Sequence, residues 1–265
     1  MQQAEDFRAE SQALDALLTP VDPARFDEPT QFKGWTINDV LQHLTFWNMM
    51  AELQLTDEER LSALLGEIMS GGRSIREFEN AHLRGLKGAE LLTAWRGGYE
   101  ATADAFASAD PKQRLKWAGP EMSARSSITA RLMETWAHGQ EVYDHLGVAR
   151  ENKDRIKNIV VLGVNTYGWT FKVRGETPPE PMPFVKLTAP SGEVWTFGEE
   201  SDVERIEGRA EEFCQVVTQT RNIADTALFV TGPNATRWMA IAQCFAGGPE
   251  DPPPPGTRAP RGATA

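Results

Sequence analysis

The sequence predicts an α+β protein, with a helical N-terminal part followed by a smaller part that mixes helices and strands. Apolar side chains recur at helical intervals through most of residues 1–150. Two runs rich in β-branched and aromatic residues, 184–188 and 193–197, flank an Ala-Pro-Ser-Gly turn, which is typical of a β-hairpin. After residue 248 the chain is rich in proline and poor in apolar side chains, which predicts disorder.

These patterns divide the chain into three predicted segments. Residues 1–150 form a helical domain, residues 151–248 a small α/β domain, and residues 249–265 a disordered tail. A third strand is expected at 205–208. Helices are expected at 4–18, from Thr36 through Ala51, at 57–69, 74–86 and 89–107, around Glu134 and His138, and at 154–174, 210–221 and 236–245.

Composition excludes several classes of function. The chain has 265 residues and a formal net charge of −11, so it offers no concentrated basic surface for nucleic acid. Its two cysteines, Cys214 and Cys244, are too few for a disulfide framework and are expected to be buried free thiols in a reducing cytoplasm. The N-terminus lacks the features of a signal peptide, and no stretch approaches the roughly 20 apolar residues of a membrane span. We therefore expect a cytoplasmic monomer or homodimer that binds neither nucleic acid nor membrane.

Glu134 and His138 lie four residues apart in a segment that reads as a helix. Residues at this spacing are surface neighbours with Cβ atoms roughly 6 Å apart, so a carboxylate oxygen and an imidazole nitrogen can reach one cation. Among the four histidines, His43 is the best candidate for a third ligand, and it falls at the edge of the apolar face of the helix that Thr36 and Asp39 begin. Ligands from two helices would leave a fourth position open for water or substrate.

Several of these residues also have an ordinary structural interpretation. A Glu–His pair at this spacing arises by chance on solvated helix faces, and a histidine beside apolar neighbours can belong to a core. Glu141 could accept a hydrogen bond from a ligand imidazole and fix its tautomer. His82 and His145 are expected at the surface, although His145 could line the same cleft. Most tryptophans are expected in the core, with Trp136 in the bundle interior or at the interdomain contact, and Trp47 at the border of the site.

Two motifs resemble a known family. The segment Gly34-Trp-Thr-Ile-Asn-Asp-Val-Leu-Gln-His43 is similar to the Gly-Trp-Thr/Ser-x-x-Asp-x-x-x-His signature of DinB-like metal-binding helical bundles, especially the branch with the mycothiol-dependent maleylpyruvate isomerase. The second motif, Glu-x-x-x-His on the last bundle helix, appears as Glu134-Thr-Trp-Ala-His138. Weaker similarity at 163–171 and 174–179 resembles the beginning of that family's sterol-carrier-like C-terminal domain. The chain thus resembles an actinobacterial-type member of this family.

The resemblance implies an antiparallel four-helix bundle of the DinB type, with a divalent metal, expected to be zinc, held at one end by His43, Glu134 and His138. In that family the metal activates a low-molecular-weight thiol, here expected to be mycothiol, because coordination lowers the pKa of the thiol. The expected activity is that of an isomerase or S-transferase acting on a small electrophile. If this substrate carries a carboxylate, Arg221, and less convincingly Arg209, could bind it in bidentate fashion, although most arginines are simply exposed.

Two other interpretations stay open at this point. The protein could be a non-catalytic module that binds a metal, or a lipid or acyl group, in which case a fourth protein ligand such as His145 would close the metal site. It could also be a DinB-like protein that has lost its metal. Three ligands with an open position would favour catalysis, with a small thiol and an electrophilic substrate as the partner molecules.

Overall fold

The computed structural model of the chain describes residues 1–117, 121–260 and 262. The chain divides into two compact units, Met1–Val142 and Tyr143–Ala265. The first unit is helical apart from two very short strands, and the second combines helices with a four-stranded sheet. The predicted α+β fold class is therefore confirmed, whereas the domain limits predicted from the sequence, including a separate tail, stay predictions.

Helices make up most of the first unit, and they agree with the predicted helices to within a few residues at most ends. The predicted helix 74–86 is shorter in the structure, because Arg84 and Gly85 adopt left-handed backbone conformations that end it. The helices are α1 (Gln2–Leu18), α2 (Ile37–Thr56), α3 (Glu58–Met69), α4 (Ile75–His82), α5 (Gly88–Ser108) and α6 (Ala124–Leu146), of which α6 continues into the second unit. The short antiparallel strands are β1 (Arg114–Leu115) and β2 (Met122–Ser123).

Helices α1 and α5 pack against each other in antiparallel fashion. At one end, the amino group of Met1 donates a hydrogen bond to the carbonyl of Ala107 at 2.9 Å. At the other end, Asp15 accepts hydrogen bonds from Arg96 at 2.7 Å. Because Asp15 follows Met1 in α1 while Arg96 precedes Ala107 in α5, the two helices run in opposite directions.

Helix α2 packs along α5 and also contacts α6. Near the middle of α2, the side chain of Asn48 accepts a hydrogen bond from Arg131 at 3.1 Å. Near the end of α2, the side chain of Gln54 is hydrogen-bonded to Ser127. The later residue of α2, Gln54, thus contacts the earlier residue of α6, Ser127. The two helices are therefore antiparallel.

The second unit contains a four-stranded sheet of order β4-β3-β5-β6. Strands β3 (Phe184–Thr188) and β4 (Val194–Phe197) form the predicted antiparallel hairpin. The third predicted strand is also confirmed as β5 (Arg205–Arg209), which pairs with β3 in parallel, whereas the edge strand β6 (Phe229–Thr231) was not predicted. A run of three residues is too short to show a strand period. The helices of this unit are α7 (Lys157–Asn165), α8 (Tyr167–Lys172), α9 (Ala210–Val217) and α10 (Pro233–Ile241).

The single helix predicted at 154–174 is wrong, because the structure divides it at Thr166. A 3₁₀ turn, Asp154–Ile156, precedes α7, and α8 begins after Thr166. The Thr166 hydroxyl donates to the carbonyl of Leu162 at 2.8 Å and lies 3.1 Å from that of Gly163. Thr166 itself departs from helical geometry, with φ −95° and ψ 12°, and its hydroxyl bonds to the preceding turn are compatible with such a bend.

Residues 249–260 contain no helix or strand, yet some of them are hydrogen-bonded to the rest of the second unit. The carbonyl of Glu250 accepts a hydrogen bond from the side chain of Gln219 at 2.8 Å. The predicted disorder rests on composition, and composition does not reveal a backbone contact of this kind. The remaining part of the predicted tail, residues 261 and 263–265, lies outside the described residues.

Both cysteines are buried, as predicted, and among the described residues neither forms a disulfide. Burial raises the pKa of the Cys214 thiol well above its ordinary value, so this group is not a reactive thiolate at neutral pH. Within the described part of the chain, no helix is both long enough and apolar enough to cross a membrane.

Candidate metal centre

Three side chains from α2 and α6 converge on one point. His43, Glu134 and His138 each offer one ligand atom, and these atoms all lie within 4.8 Å of one another. The Oε2 atom of Glu134 is 3.5 Å from Nε2 of His43 and 3.2 Å from Nε2 of His138. All three side chains are mostly buried and keep a small exposed fraction. The structure therefore brings together the three residues that the sequence analysis names as metal ligands.

The position of His43 follows from the way in which α2 begins. Thr36 and Asp39 form the predicted capping box: the Asp39 amide donates to the Thr36 hydroxyl at 3.1 Å, and the Thr36 amide donates to the Asp39 carboxylate at 2.8 Å. Before the cap, Lys33 and Gly34 both have left-handed backbone conformations, which turn the chain into the helix. His43 lies in the second turn of α2.

Aromatic rings enclose the imidazole of His138. The ring of Trp35 is stacked on it, with centroids 5.4 Å apart and an angle of 3° between the planes. Phe32 contacts the same imidazole edge to face at 5.2 Å, and Trp35 also contacts His43 at 5.4 Å. The two aromatic side chains restrict the rotation of the histidines and exclude water from one side of the cluster.

A carboxylate from α4 contacts His43 on the side away from Glu134. The Oε1 atom of Glu79 lies 2.8 Å from Nδ1 of His43 and accepts a hydrogen bond from the indole Nε1 of Trp47 at 2.7 Å. Trp47 thus borders the site, as predicted. Glu141 was the predicted carboxylate of this kind, whereas the carboxylate that contacts His43 in the structure is Glu79. The sequence gives no sign that α4 lies beside α2, and so this residue was missed.

The charges of the cluster are strongly coupled. Burial raises the pKa of Glu134, but its hydrogen bonds with His138 and His43 outweigh burial and hold the pKa well below its usual range. Burial lowers the pKa of His43, but hydrogen bonds with Glu134 and Glu79 outweigh it and raise the pKa. The pKa of His138 is lowered, first by burial and then by the charge of His43. Glu134 is therefore ionised at neutral pH, and its carboxylate can act as a ligand.

Arg131, one turn before Glu134 on α6, is a buried cation near the cluster. Burial lowers the pKa of its guanidinium, while the charges of Glu134 and Glu79 act in the opposite direction. Its Nε donates to Asn48, and its Nη2 atom has no hydrogen-bond partner among the described residues. Arg131 was not predicted as part of the site, and its charge balances part of the negative charge around the cluster.

The donor set fits a divalent metal ion such as zinc. Carboxylate oxygen and neutral imidazole nitrogen are ligands of zinc at about 2.0–2.2 Å, and tetrahedral geometry at these lengths places neighbouring ligand atoms about 3.3–3.5 Å apart. The separations of 3.5 and 3.2 Å between Glu134 and the two histidines are close to this value. Among the described residues the group contains no fourth protein ligand. A bound ion would therefore keep a position for an external ligand.

Arg221, the candidate for binding a substrate carboxylate, is a buried residue in this structure. Its guanidinium pairs with Asp144, with Nη2 to Oδ1 at 2.8 Å and Nη1 to Oδ2 at 2.7 Å, and its role toward a substrate stays a prediction. Helix α9 ends before Gln219, whose left-handed conformation turns the chain and places Arg221 at this ion pair. The weaker candidate, Arg209, is exposed and pairs with Glu211.

The two other histidines, His82 and His145, do not belong to the group formed by His43, Glu134 and His138. His145 is 4% exposed, so the expected surface position is wrong. His82 is half-buried and packs against the rings of Phe46 and Phe78 at the end of α4. Burial also lowers the pKa of His82. Trp136 is fully buried.

Comparison with known proteins gives a consistent result. The profile of the family described as mycothiol maleylpyruvate isomerase N-terminal domain matches residues 7–143, slightly more than half of the chain. Two uncharacterised proteins from two strains of Mycobacterium tuberculosis are each 39% identical over 244 residues, which cover 92% of this chain and 95% of theirs.

Two solved structures share the fold. The crystal structure of the mycothiol-dependent maleylpyruvate isomerase is 17% identical, with a TM-score of 0.53 over 81% of this chain and 87% of that chain. A histidine-to-alanine mutant of that enzyme matches with the same TM-score and coverage and 16% identity. At this level of identity the likeness concerns the fold alone. On the basis of the profile match and the mycobacterial relatives, the chain belongs to the family of the mycothiol maleylpyruvate isomerase N-terminal domain.

Proposed function

We propose that the protein is a thiol-dependent metalloenzyme in which His43, Glu134 and His138 bind a divalent ion, zinc. The observation that carries this proposal is the convergence of three acceptor atoms on one point. The contact with Glu79 leaves Nε2 of a neutral His43 without a proton, and this nitrogen lies 3.5 Å from the ionised carboxylate of Glu134. Two electron-rich atoms at this distance repel each other unless a proton or a metal ion lies between them.

The proposed reaction is the isomerisation of a small electrophile, or the transfer of a thiol to it, with mycothiol as the cosubstrate. When bound, zinc lowers the pKa of a coordinated thiol so that thiolate forms at neutral pH. Addition of the thiolate to an activated double bond forms a C–S bond and leaves a C–C single bond, which can rotate. Expulsion of the thiolate then restores the double bond as the other isomer, whereas protonation of the adduct at carbon gives the S-transfer product.

The side chains of this protein have three roles in such a reaction. His43, Glu134 and His138 hold the ion and leave a position for the thiol sulfur. Trp35 and Phe32 cover His138 and exclude water from that side. The three-ligand group supports catalysis over the alternative of a non-catalytic metal-, lipid- or acyl-binding protein, because a purely structural zinc site is normally closed by four protein ligands.

Several further features belong to this proposal. We propose that α1, α2, α5 and α6 form a DinB-like four-helix bundle, that residues 151–248 form a sterol-carrier-like domain, and that the domain limits are 1–150, 151–248 and 249–265. The family, the two crystal structures of its isomerase and the helix contacts described above support the bundle. We also propose a cytoplasmic location and a monomeric or homodimeric state.

Elemental analysis and product analysis test the function together. The protein purified without added metal is expected to contain zinc, and its incubation with mycothiol and maleylpyruvate, or with a panel of other activated alkenes, should yield isomers or thiol adducts visible by mass spectrometry and NMR. Reactions without thiol, and with zinc but no protein, are the controls. A zinc-loaded protein that forms neither an isomer nor an adduct would contradict the enzymatic part of the proposal.

Zinc binding is expected to weaken as the pH falls, beginning at a higher pH than for an ordinary histidine ligand. Zinc and a proton compete for Nε2 of His43, and the hydrogen bonds with Glu134 and Glu79 outweigh burial to raise the pKa of this histidine. Below that pKa, the apparent affinity should fall about tenfold per pH unit for one competing proton. Competition with a chelator across a pH series measures the effect, and an affinity that is constant between about pH 6 and pH 8 would argue against His43 as a ligand.

A further inference from the structure

Helix α4 is a short helix whose polar side chains contact the metal-binding face of α2. Arg76 pairs with Asp39 at 2.6 Å, near the beginning of α2. One turn further along, the side chain of Asn80 donates to that of Gln42 at 3.3 Å. These contacts fix α4 beside the turn of α2 that carries His43.

Glu79 lies between these contacts and is almost completely buried, at 1% exposure. One oxygen of its carboxylate is 2.8 Å from Nδ1 of His43 and 2.7 Å from Nε1 of Trp47. The indole nitrogen is a donor only, and so it confirms this oxygen as an acceptor. If this oxygen accepts from the imidazole as it does from the indole, Nδ1 of His43 carries the proton in this contact.

A neutral imidazole has one protonated nitrogen and one nitrogen with a free lone pair. If Nδ1 of His43 carries the proton, the lone pair belongs to Nε2, the atom that faces Glu134 at 3.5 Å. The opposite tautomer would direct an N–H group at the position of a metal ion and prevent coordination. The contact with Glu79 therefore favours the tautomer in which Nε2 of His43 can bind a metal ion.

We propose that Glu79 is the positioning residue of the metal centre, which holds His43 as the Nδ1-protonated tautomer and makes α4 a functional part of the site. Hydrogen-bonded carboxylates behind a ligand histidine commonly orient the ring and increase its basicity. Trp47 supports this arrangement because it binds the same oxygen and fixes the carboxylate. The proposal rests on the proposed function in so far as it concerns a metal, but the tautomer of His43 is a property of the protein alone.

The test compares Glu79→Leu and Glu79→Gln with the wild-type protein in two measurements. The first is the tautomer of His43 in metal-free protein, read from nitrogen–proton NMR correlations of the ring at a pH at which the imidazole is neutral. The second is the zinc affinity from competition with a chelator. Glu79→Leu is expected to populate the Nε2-protonated tautomer and to lower the zinc affinity by about 10- to 100-fold. Glu79→Gln keeps an oxygen that accepts from both donors, so it should keep the tautomer and lose less affinity.

Glu77→Leu is the matched control, because it makes the same change on the same helix. Glu77 is exposed, caps α4 through Ser74 and does not contact His43. Its zinc affinity is expected to stay close to that of the wild type. A similar loss in this control would mean that the stability of α4, not the contact of Glu79, controls binding, and would overturn the proposal.

The outcomes separate this inference from the proposed function. If the wild-type protein binds zinc and Glu79→Leu binds it equally well, with an unchanged tautomer, Glu79 is not a positioning residue although the metal site stands. If the wild-type protein binds no zinc, the metal centre is wrong, and the NMR comparison still decides whether Glu79 sets the tautomer. If Glu79→Leu does not fold, Glu79→Ala takes its place, with the same expected change in tautomer and zinc affinity. If neutral His43 in the wild-type protein is protonated at Nε2 and not at Nδ1, the inference is also overturned.

Discussion

Replacement of His43 or His138 by alanine is expected to lower the zinc affinity of the protein about 100-fold. Zinc sites with four protein ligands have apparent binding free energies of about 10–16 kcal/mol, so one ligand contributes roughly 3 kcal/mol. That energy corresponds to a factor of about 100 in the dissociation constant. The double variant should contain no zinc after purification. Elemental analysis and chelator competition measure both effects, and thiol-dependent turnover should disappear together with the metal.

The control for these variants is His82→Ala, which removes a histidine that packs against Phe46 and Phe78 outside the cluster. This variant should retain its zinc. Because the ligand substitutions leave Glu134 in a mostly buried position, circular dichroism must show that each variant is folded before its zinc content is compared. Full metal content in a folded His43→Ala and His138→Ala double variant would refute the assignment of the ligands.

Replacement of Arg221 by methionine is expected to destabilise the second unit by about 3–5 kcal/mol, because it removes one member of a buried ion pair. The two side chains are only 8% and 2% exposed, so water cannot replace the lost contact without a rearrangement. The double variant Arg221→Met/Asp144→Leu should recover most of the loss, since it removes both buried charges. Chemical denaturation followed by circular dichroism measures the change.

Arg209→Met provides the matched control, because this side chain is 70% exposed and its ion pair lies at the surface. We expect a change of at most about 1 kcal/mol for such a pair. The comparison also tests the substrate-clamp prediction for Arg221. If Arg221→Met were as stable as the wild type but had a raised KM for a carboxylate substrate, the residue would act as a clamp and the structural role of its ion pair would be refuted.

The features that could be predicted from the sequence are those that depend on neighbours in the chain. The capping box of Thr36 and Asp39 requires only a three-residue spacing, and the Glu134–His138 pair requires only a helix. The β3–β4 hairpin likewise follows from two strand-like runs around a turn. In contrast, His43 became a firm candidate through the resemblance of its surrounding motif, because helical spacing alone does not reveal which distant segment faces α6.

The features that could not be predicted depend on which helices meet. Glu79 is one of many glutamates on helical segments, and its contact with His43 exists only because α4 packs against α2. Burial of a charged group such as Arg131 or Arg221 runs against the usual preference for the surface, and only the tertiary partner explains it. The break at Thr166 was missed for a related reason, since threonine is also found inside continuous helices.

The three proposed ligands come from α2 and α6, and α3, α4 and α5 lie between these helices along the chain. During synthesis, His43 leaves the ribosome long before the Glu134–His138 pair exists, and neither segment by itself offers more than two donors. The proposed site is therefore complete only after α2 and α6 associate, unlike in a zinc finger, where metal and peptide fold together. We expect the association of these two helices to precede any binding of an ion by all three side chains.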